Sequence, residues 1–456
     1  MKFITFLLTS FVMLVAFPRS SSAAKSPVGS WLGTLQLSPQ AKLRLVFNVT
    51  ENSNGSYSVT MDSPDQGAKG IPCQTNYLSA DSINVSVRSI GFSYAGRIEG
   101  EKMTGSFSQN GMKLPLELTY VKAEAMRPQT PKPPFPYSER SVKFGNATTL
   151  LVGTLLLPQN FSADTPVVLM ITGSGQQNRD EEVFGHKPFW VIADYLARNG
   201  IGSLRYDDRG VGESTGDFKT ATTHDFALDA AEGIRYLKNT EGFRNVGVLG
   251  HSEGGAIAFM LGGEKEFRYD ARPKFIVTLG APAMRGDSLL ADQNEALLKG
   301  RGVSAETAAL YAEALKKLYD VKIHQGSKAA CASVDDITKS WPADPVLAQL
   351  KENLRQVAMT ENPWFDYFQS YSPAKAIAAT QCPVLALYGG KDTQVLPVNA
   401  EALKRLNGKA DVRVMPGRNH LMQTAKTGMM EEYEAIEETI SPEVLETIVT
   451  FINALK

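Results

Sequence analysis

Cysteine is scarce in this chain. Of 456 residues only Cys73, Cys331 and Cys382 carry a thiol. Three widely spaced cysteines make no disulfide framework; they read as buried or free thiols, and the sequence leaves their redox state open. Histidine is also sparse, with five in all, and no Cys/His cluster has metal-ligand spacing, so no metal site is expected. Charge of one sign is missing too: 47 Lys and Arg against 48 Asp and Glu give a net charge of -1. That balance argues against nucleic acid and against an anionic membrane surface as partners. Long apolar runs are absent beyond the first two dozen residues, which excludes a membrane span there. The N-terminus is the exception: Lys2, an apolar stretch over 3–17 and the small residues Ser21-Ser22-Ala23-Ala24 describe a secretory signal peptide over 1–24. The expected mature protein is soluble and exported, periplasmic or secreted, without integral membrane association. No cysteine lies near the cleavage site for a lipid anchor.

What remains is an ordinary globular composition, 43% hydrophobic and 21% charged, enough for a sizeable core. The length exceeds one typical domain. Residues 26–122 alternate polar and apolar in short runs, such as Leu43-Arg-Leu-Val-Phe-Asn-Val and Ile83-Asn-Val-Ser-Val, separated by turns such as Asn52-Ser-Asn-Gly and Gln109-Asn-Gly. Period-two alternation buries one face of each strand, so a small antiparallel β barrel or sandwich is expected. A proline-rich linker follows over 123–138. From 139 to 456 apolar strands alternate with helical stretches, among them Val167–Ile171, Phe189–Arg198, Gly202–Tyr206 and Asp225–Lys238. That rhythm predicts an α/β fold with a doubly wound, mostly parallel sheet. Residues 283–375 break it with a helical insertion far longer than one crossover needs, placed as a cap.

The chemistry concentrates in this second part. Gly250-His251-Ser252-Glu253-Gly254 lies between the strand Val246–Leu249 and a helix of small residues. There the glycines allow a turn sharp enough to hold a serine hydroxyl above the sheet. A hydroxyl is a weak nucleophile unless a base takes its proton and a carboxylate orients that base. The strand Val384–Tyr388 ends in Gly389-Gly-Lys-Asp392, and Val412–Met415 ends in Pro416-Gly-Arg-Asn-His420. Ser252, Asp392 and His420 thus follow in the order Ser, acid, His, each at the carboxyl end of a strand. The position after Phe275–Leu279 holds Gly280-Ala-Pro and no carboxylate. Asp207 and Asp208 stand next in line as the acid. The other four histidines, His186, His224, His251 and His324, read as structural. For the oxyanion the backbone N–H groups of Glu253 and Ser174 are chosen, with Gly175 or Gln176 able to serve instead of Ser174. The loop Thr172-Gly-Ser-Gly-Gln176 with Arg179 could otherwise take a phosphate, but it lacks the P-loop pattern.

Three segments together, Gly173-Ser-Gly-Gln-Gln-Asn-Arg-Asp180, Tyr206-Asp-Asp-Arg-Gly-Val-Gly-Glu-Ser214 and Gly250–Gly254, resemble α/β-hydrolase serine carboxylesterases related to serine aminopeptidase-like hydrolases. That family carries G-S-G-P-Q-D-R-D, Y-D-x-R-G-x-G-x-S and G-H-S-E-G in the same order. The resemblance spans roughly residues 139–456. It departs at Gln176, where the family has Pro, and at Asn178, where it has Asp, both in the oxyanion loop. It implies an α/β-hydrolase fold, no cofactor, and structural roles for Arg209 and Gly210.

The expected function is hydrolysis of a small-molecule carboxylic ester through an acyl-enzyme. An aminopeptidase on the same fold is the alternative, since the same triad cleaves amides; it needs a carboxylate such as Glu361 or Asp366 for the substrate's amino group. A non-catalytic glycan- or lipid-binding protein is the third reading. The aromatic run Asn362-Pro-Trp-Phe-Asp-Tyr-Phe offers Trp364 and Phe365 either to a substrate pocket or to anchoring the cap. Oligomeric state is left open.

Overall fold

A computed structural model describes residues 26–37, 42–52, 55–66, 68–121 and 127–455; the signal segment 1–24 lies outside them. The described residues fall into two compact units divided near residue 124.

The first unit is a barrel, not a sandwich. Eight strands run from β1 (Gly29–Gln36) to β8 (Met112–Val121), each antiparallel to its neighbours, and β8 pairs back onto β1. Alternation sets the inside: in β1 Trp31, Gly33 and Leu35 are buried while Leu32, Thr34 and Gln36 are exposed. Trp31, Phe47, Tyr94, Met103, Phe107 and Leu118, each at most 3% exposed, fill the lumen. Closure removes the unpaired edges that a two-sheet arrangement would leave. Two strands, β4 (Ala68–Leu78) and β6 (Phe92–Glu99), were not among the runs the alternation singles out.

The second unit is an eight-stranded sheet covered by helices. Its strands are β9 (Tyr137–Gly145), β10 (Leu150–Pro158), β11 (Val167–Ile171), β12 (Gly202–Tyr206), β13 (Val246–His251), β14 (Ile276–Leu279), β15 (Val384–Gly389) and β16 (Asp411–Met415). They lie in the order β16-β15-β14-β13-β11-β12-β10-β9. From β12 to β16 all pairs are parallel; β9 and β10 form an antiparallel hairpin on the β12 edge. The central strands β11, β13, β14 and β15 are buried at every position, which is why they read as continuous apolar runs and not as alternation. Helices α1 (Pro188–Arg198), α2 (Thr223–Arg235) and α3 (Glu253–Gly263) form the crossovers. A reciprocal capping box between Thr222 and Asp225 fixes the start of α2.

The linker expected over 123–138 is corrected here. Residues 127–137 are bound into the second unit. The Arg127 guanidinium donates to the carbonyls of Phe184 (2.6 Å), Glu434 (2.9 Å) and Ile436 (3.0 Å). Gln129 bridges Thr439 and Ile440, and Tyr137 already begins β9. Proline content stiffens the segment, but its polar side chains make it a strap.

The cap consists of α4 (Gly286–Gly300), α5 (Ala305–Gln325), α6 (Ser327–Ile337), α7 (Pro345–Met359) and α8 (Pro363–Ser370), followed by α9 (Ala374–Ala379). Asp344 and Asn362 cap the last two of these cap helices, each followed by a proline in the first turn. After the cap the chain re-enters the sheet at β15 and continues through α10 (Val398–Leu406), β16 and α11 (Pro442–Asn453).

Candidate active site

Ser252 follows β13 and opens α3. Its backbone sits at φ 52°, ψ -120°, a strained conformation for a residue with a side chain. Close approach dictates the glycines around it. A Cβ on Gly250 would lie 2.1 Å from the Gly254 carbonyl oxygen, and one on Gly254 would lie 2.2 Å from that of Ile171. Any larger residue at either position pushes the turn off the sheet. The strain is held by the Ser252 N–H, which donates to the Leu279 carbonyl at 2.8 Å.

His420 and Asp392 meet from the loops after β16 and β15. The imidazole Nδ1 lies 2.7 Å from Asp392 Oδ2, and both side chains are essentially inaccessible. The other carboxylate oxygen accepts the N–H groups of Gln394 (2.8 Å) and Val395 (2.9 Å), so Asp392 cannot swing away. His420 Nε2 is buried with no hydrogen-bond partner among the described residues. Gly280, at the end of β14, explains the missing carboxylate there: a Cβ on it would come within 3.1 Å of His420 Nδ1. That position is kept clear for the imidazole.

The loop after β11 passes over the elbow. A Cβ on Gly173 would stand 3.2 Å from Ser252 Cβ. Asp207 and Asp208, the next candidates for the acid, are committed to holding this loop. Asp208 accepts from Thr172 Oγ1 (2.8 Å) and Gln177 N (2.9 Å), and burial pushes its carboxyl well above the usual range. Asp207 accepts the backbone N–H and guanidinium of Arg179 at 2.8 and 2.6 Å. Arg209 clamps Asp229 through two bonds of 2.7 and 2.8 Å, and Gly210 adopts φ 73° in the turn. The N–H groups of Ser174 and Glu253 face no protein acceptor among the described residues, whereas that of Gly173 is taken by Glu181 Oε1 at 2.7 Å. Gly175 is half-buried and Gln176 exposed.

Glu253 brings the cap to the site. Its side chain is 1% exposed, and the Trp364 indole N–H on α8 lies 2.9 and 3.0 Å from its two carboxylate oxygens. Burial pushes this carboxyl upward; the Ser174 hydroxyl and the indole N–H pull the other way. Of the two roles open to Phe365, the packing matches the cap anchor: it is 1% exposed and lies within the cap on Tyr319, with Lys322 over its ring. Successive residues on a helix point about 100° apart, so only one of the pair faces Glu253.

One pair of residues escaped the sequence reading. His251, within the elbow, has Nδ1 2.9 Å from Glu181 Oε1 and Nε2 3.0 Å from the backbone carbonyl of His420. Its ring lies 4.7 Å from that of His420. Glu181 is 3% exposed and held at φ 51°. Nothing in the spacing links positions 181 and 251; only the loop's path over the elbow does. His186 is structural, bonded to Thr439 and Tyr433, and burial lowers it to about 4.

The site is closed. Ser252 is 5% and His420 1% exposed. The cavity beside His420, lined by Glu181, His251, Gln394 and Tyr433 among others, is about 30 Å³, room for about one water. A larger open depression of about 600 Å³ lies at the opposite, amino end of the strands, around Pro166, Gly200, Asn245 and Lys274, and contains none of these groups. Among the described residues no three His, Cys, Asp or Glu are grouped to hold a metal, and no helix is long and apolar enough to cross a membrane. The three cysteines are unpaired.

Comparison with known proteins adds the family. The sequence profile described as Serine aminopeptidase, S33, matches residues 189–424. Esterase EstD of Thermotoga maritima is 25% identical over 326 residues, 70% of this chain and 66% of that protein. The match thus spans just under two thirds of the relative. Among solved structures, the Pyrococcus furiosus esterase Pf2001 shares 15% identity at a TM-score of 0.40, covering 70% of this chain and 93% of that one. A proline iminopeptidase of Mycobacterium smegmatis shares 16% at 0.42, covering 69% and 98%.

Proposed function

The chain belongs to the serine aminopeptidase S33 family, and from that premise we propose that it is an exported serine hydrolase of small carboxylic esters. One observation carries the reading: a buried imidazole is bonded to a fixed carboxylate through Nδ1 with its Nε2 left without a partner among the described residues, and it packs against Gly280, the residue after the Leu279 carbonyl that holds the strained elbow serine. An unpartnered buried nitrogen costs stability, and general-base chemistry is what that nitrogen can do there.

Ser252 Oγ attacks the ester carbonyl carbon as His420 Nε2 takes its proton. Asp392 holds the Nδ1–H and stabilises the imidazolium. The carbonyl oxygen, now negative, lies between the N–H groups of Ser174 and Glu253, the latter also at the positive end of α3. His420 returns the proton to the leaving alcohol. Water, deprotonated by the same nitrogen, then releases the acid and restores Ser252. Trp364 ties the cap to Glu253, the residue directly after the nucleophile.

An ester is favoured over a peptide by the cap's carboxylates. Asp366 is bound by Lys322 at 2.6 Å, Glu361 is exposed, and Glu253 is engaged by Trp364. Asp366 in the cap and Glu253 beside the nucleophile thus already have partners. The esterase name of the Thermotoga relative points the same way. A binding function for the barrel finds no support in its lumen, which side chains fill. The signal segment supports export.

The test is a panel of nitrophenyl esters of increasing acyl length beside aminoacyl nitroanilides, run with Ser252→Ala as control. Ester turnover at least a hundredfold above nitroanilide turnover is expected, roughly 2.7 kcal/mol of discrimination. The reverse order would make the chain an aminopeptidase.

A further inference from the structure

The second carboxylate–histidine pair has a protonation state that its partners dictate. Neutral imidazole has one N–H and one lone pair, so a neutral His251 needs one donor among its neighbours. It has none. Nδ1 faces the Glu181 carboxylate at 2.9 Å, and Nε2 faces the His420 carbonyl oxygen at 3.0 Å. Both are acceptors. Glu181 Oε1 is further fixed as an acceptor by the Gly173 N–H. A neutral ring would set a lone pair against one of these oxygens in a site buried from bulk solvent.

We propose that His251 is a standing imidazolium, ion-paired to Glu181, and that this buried charge tunes the base His420 and the oxyanion site; it is a positioning residue for the reaction assigned above and rests on that assignment. The charge is asymmetrically placed. Glu181 meets the Nδ1 side of the ring, and the opposite nitrogen meets the backbone carbonyl of His420. At 4.7 Å between rings it is a fixed cation beside the imidazole assigned as base. The same charge lies under the oxyanion loop, since a Cβ on Gly173 would fall 3.4 Å from His251 Nδ1 and 3.2 Å from Ser252 Cβ. Developing negative charge on the carbonyl oxygen is therefore met by a cation as well as by N–H dipoles.

The groups facing this pair come from every neighbouring loop. Glu181 follows β11, Asp392 follows β15, His420 follows β16, and Tyr433 lies across the small cavity beside them. Burial alone would lower His251; the Glu181 charge and hydrogen bond outweigh it and the group is raised, with Asp392 adding to the effect. The positive φ of Glu181 is strain kept at a functional position.

The chain has five histidines, so protein labelled with ¹⁵N in histidine gives a readable set of ring signals. Full-length protein should show both His251 nitrogens protonated at pH 8. Glu181→Gln keeps an acceptor for Gly173 N–H while removing the charge; His251 should then be neutral at pH 8. In parallel, nitrophenyl ester turnover by Glu181→Gln should fall about tenfold to a hundredfold in kcat, with KM within about twofold and the pH profile altered. His251→Gln, which donates to the same carbonyl without charge, should reproduce the kinetic change. A neutral His251 in the wild type at pH 8, or an unchanged kcat and pH profile in Glu181→Gln, would overturn the proposal. Failure of the wild type to hydrolyse esters or to react with a fluorophosphonate would instead strike the functional reading, leaving the ring signals to judge this one.

Discussion

Two carboxylate–histidine pairs lie ring against ring in this site, and they differ at one nitrogen. In both, Nδ1 meets a carboxylate at under 3 Å. At His420 the opposite nitrogen has no hydrogen-bond partner among the described residues; at His251 it faces a carbonyl. In the reading proposed above, the first is a base waiting for a proton, and the second is a cation with nowhere to lose one. Residue type and burial are the same, so what stands at Nε2 decides between chemistry and electrostatic support. Asp392 and Glu181 differ in the same sense. Asp392 is tied by two N–H groups of its own loop, while Glu181 is tied to the oxyanion loop through Gly173.

Breaking the first pair should have the largest effect. Ser252→Ala and His420→Ala should each lower kcat for a nitrophenyl ester by roughly four to six orders of magnitude without unfolding the protein, and Asp392→Asn somewhat less. Near-normal turnover in Asp392→Asn would reassign the acid, and the loop-holding roles of Asp207 and Asp208 leave neither free to replace it.

The cap contact comes next. Trp364→Phe keeps the ring and removes the N–H from the Glu253 carboxylate, leaving buried charge less satisfied at a cost of about 1–3 kcal/mol. The expected outcome is a lower melting temperature and a several-fold change in kcat/KM, read from the same ester. An unchanged melting temperature would mean that the indole bond holds nothing.

A third histidine sharpens the contrast by stability alone. His186 has its folded value lowered to about 4 by burial, below the ordinary 6.5. It is neutral when folded and charged when unfolded between those values, so its contribution is present above 6.5 and is lost as pH falls towards 4. Urea midpoints should drop over that window, and less so in His186→Gln. His251, raised, behaves oppositely: its pairing contributes fully below 6.5 and fades as pH climbs through its folded value.

How much of this the sequence discloses depends on what kind of signal each part leaves. The central strands, buried on both faces, and the elbow with its two glycines speak through local pattern. Ser252, Asp392 and His420 each stand at a strand end, so order and spacing alone bring them forward. Strand β6 hides because Gly96 interrupts its inward series Phe92, Tyr94 and Ile98 and the apolar Ala95 is exposed, and β4 because Gly70, Pro72 and the polar stretch Gln74-Thr-Asn76 break up its run. The strap misleads because proline marks stiffness, while docking depends on Arg127 and Gln129 finding carbonyls some 310 residues away. Glu181 and His251 are 70 positions apart. Their pairing exists only once the loop after β11 folds over the elbow, and no periodicity records that.

The smallest effect is expected outside both pairs. A chain beginning at Ala125 retains the strap and every group assigned to the chemistry, so its turnover of a small nitrophenyl ester should stay within about tenfold of the full protein, roughly 1.4 kcal/mol. A folded truncation that is inert would place part of the site in the barrel.

The most direct measurement of the central claim is intact-mass analysis after exposure to a fluorophosphonate. A serine reacts only when a base activates it. The account predicts one adduct per chain, located on Ser252, absent in Ser252→Ala and formed far more slowly in His420→Ala. Undiminished labelling of Ser252→Ala, or equal rates with and without His420, would contradict it.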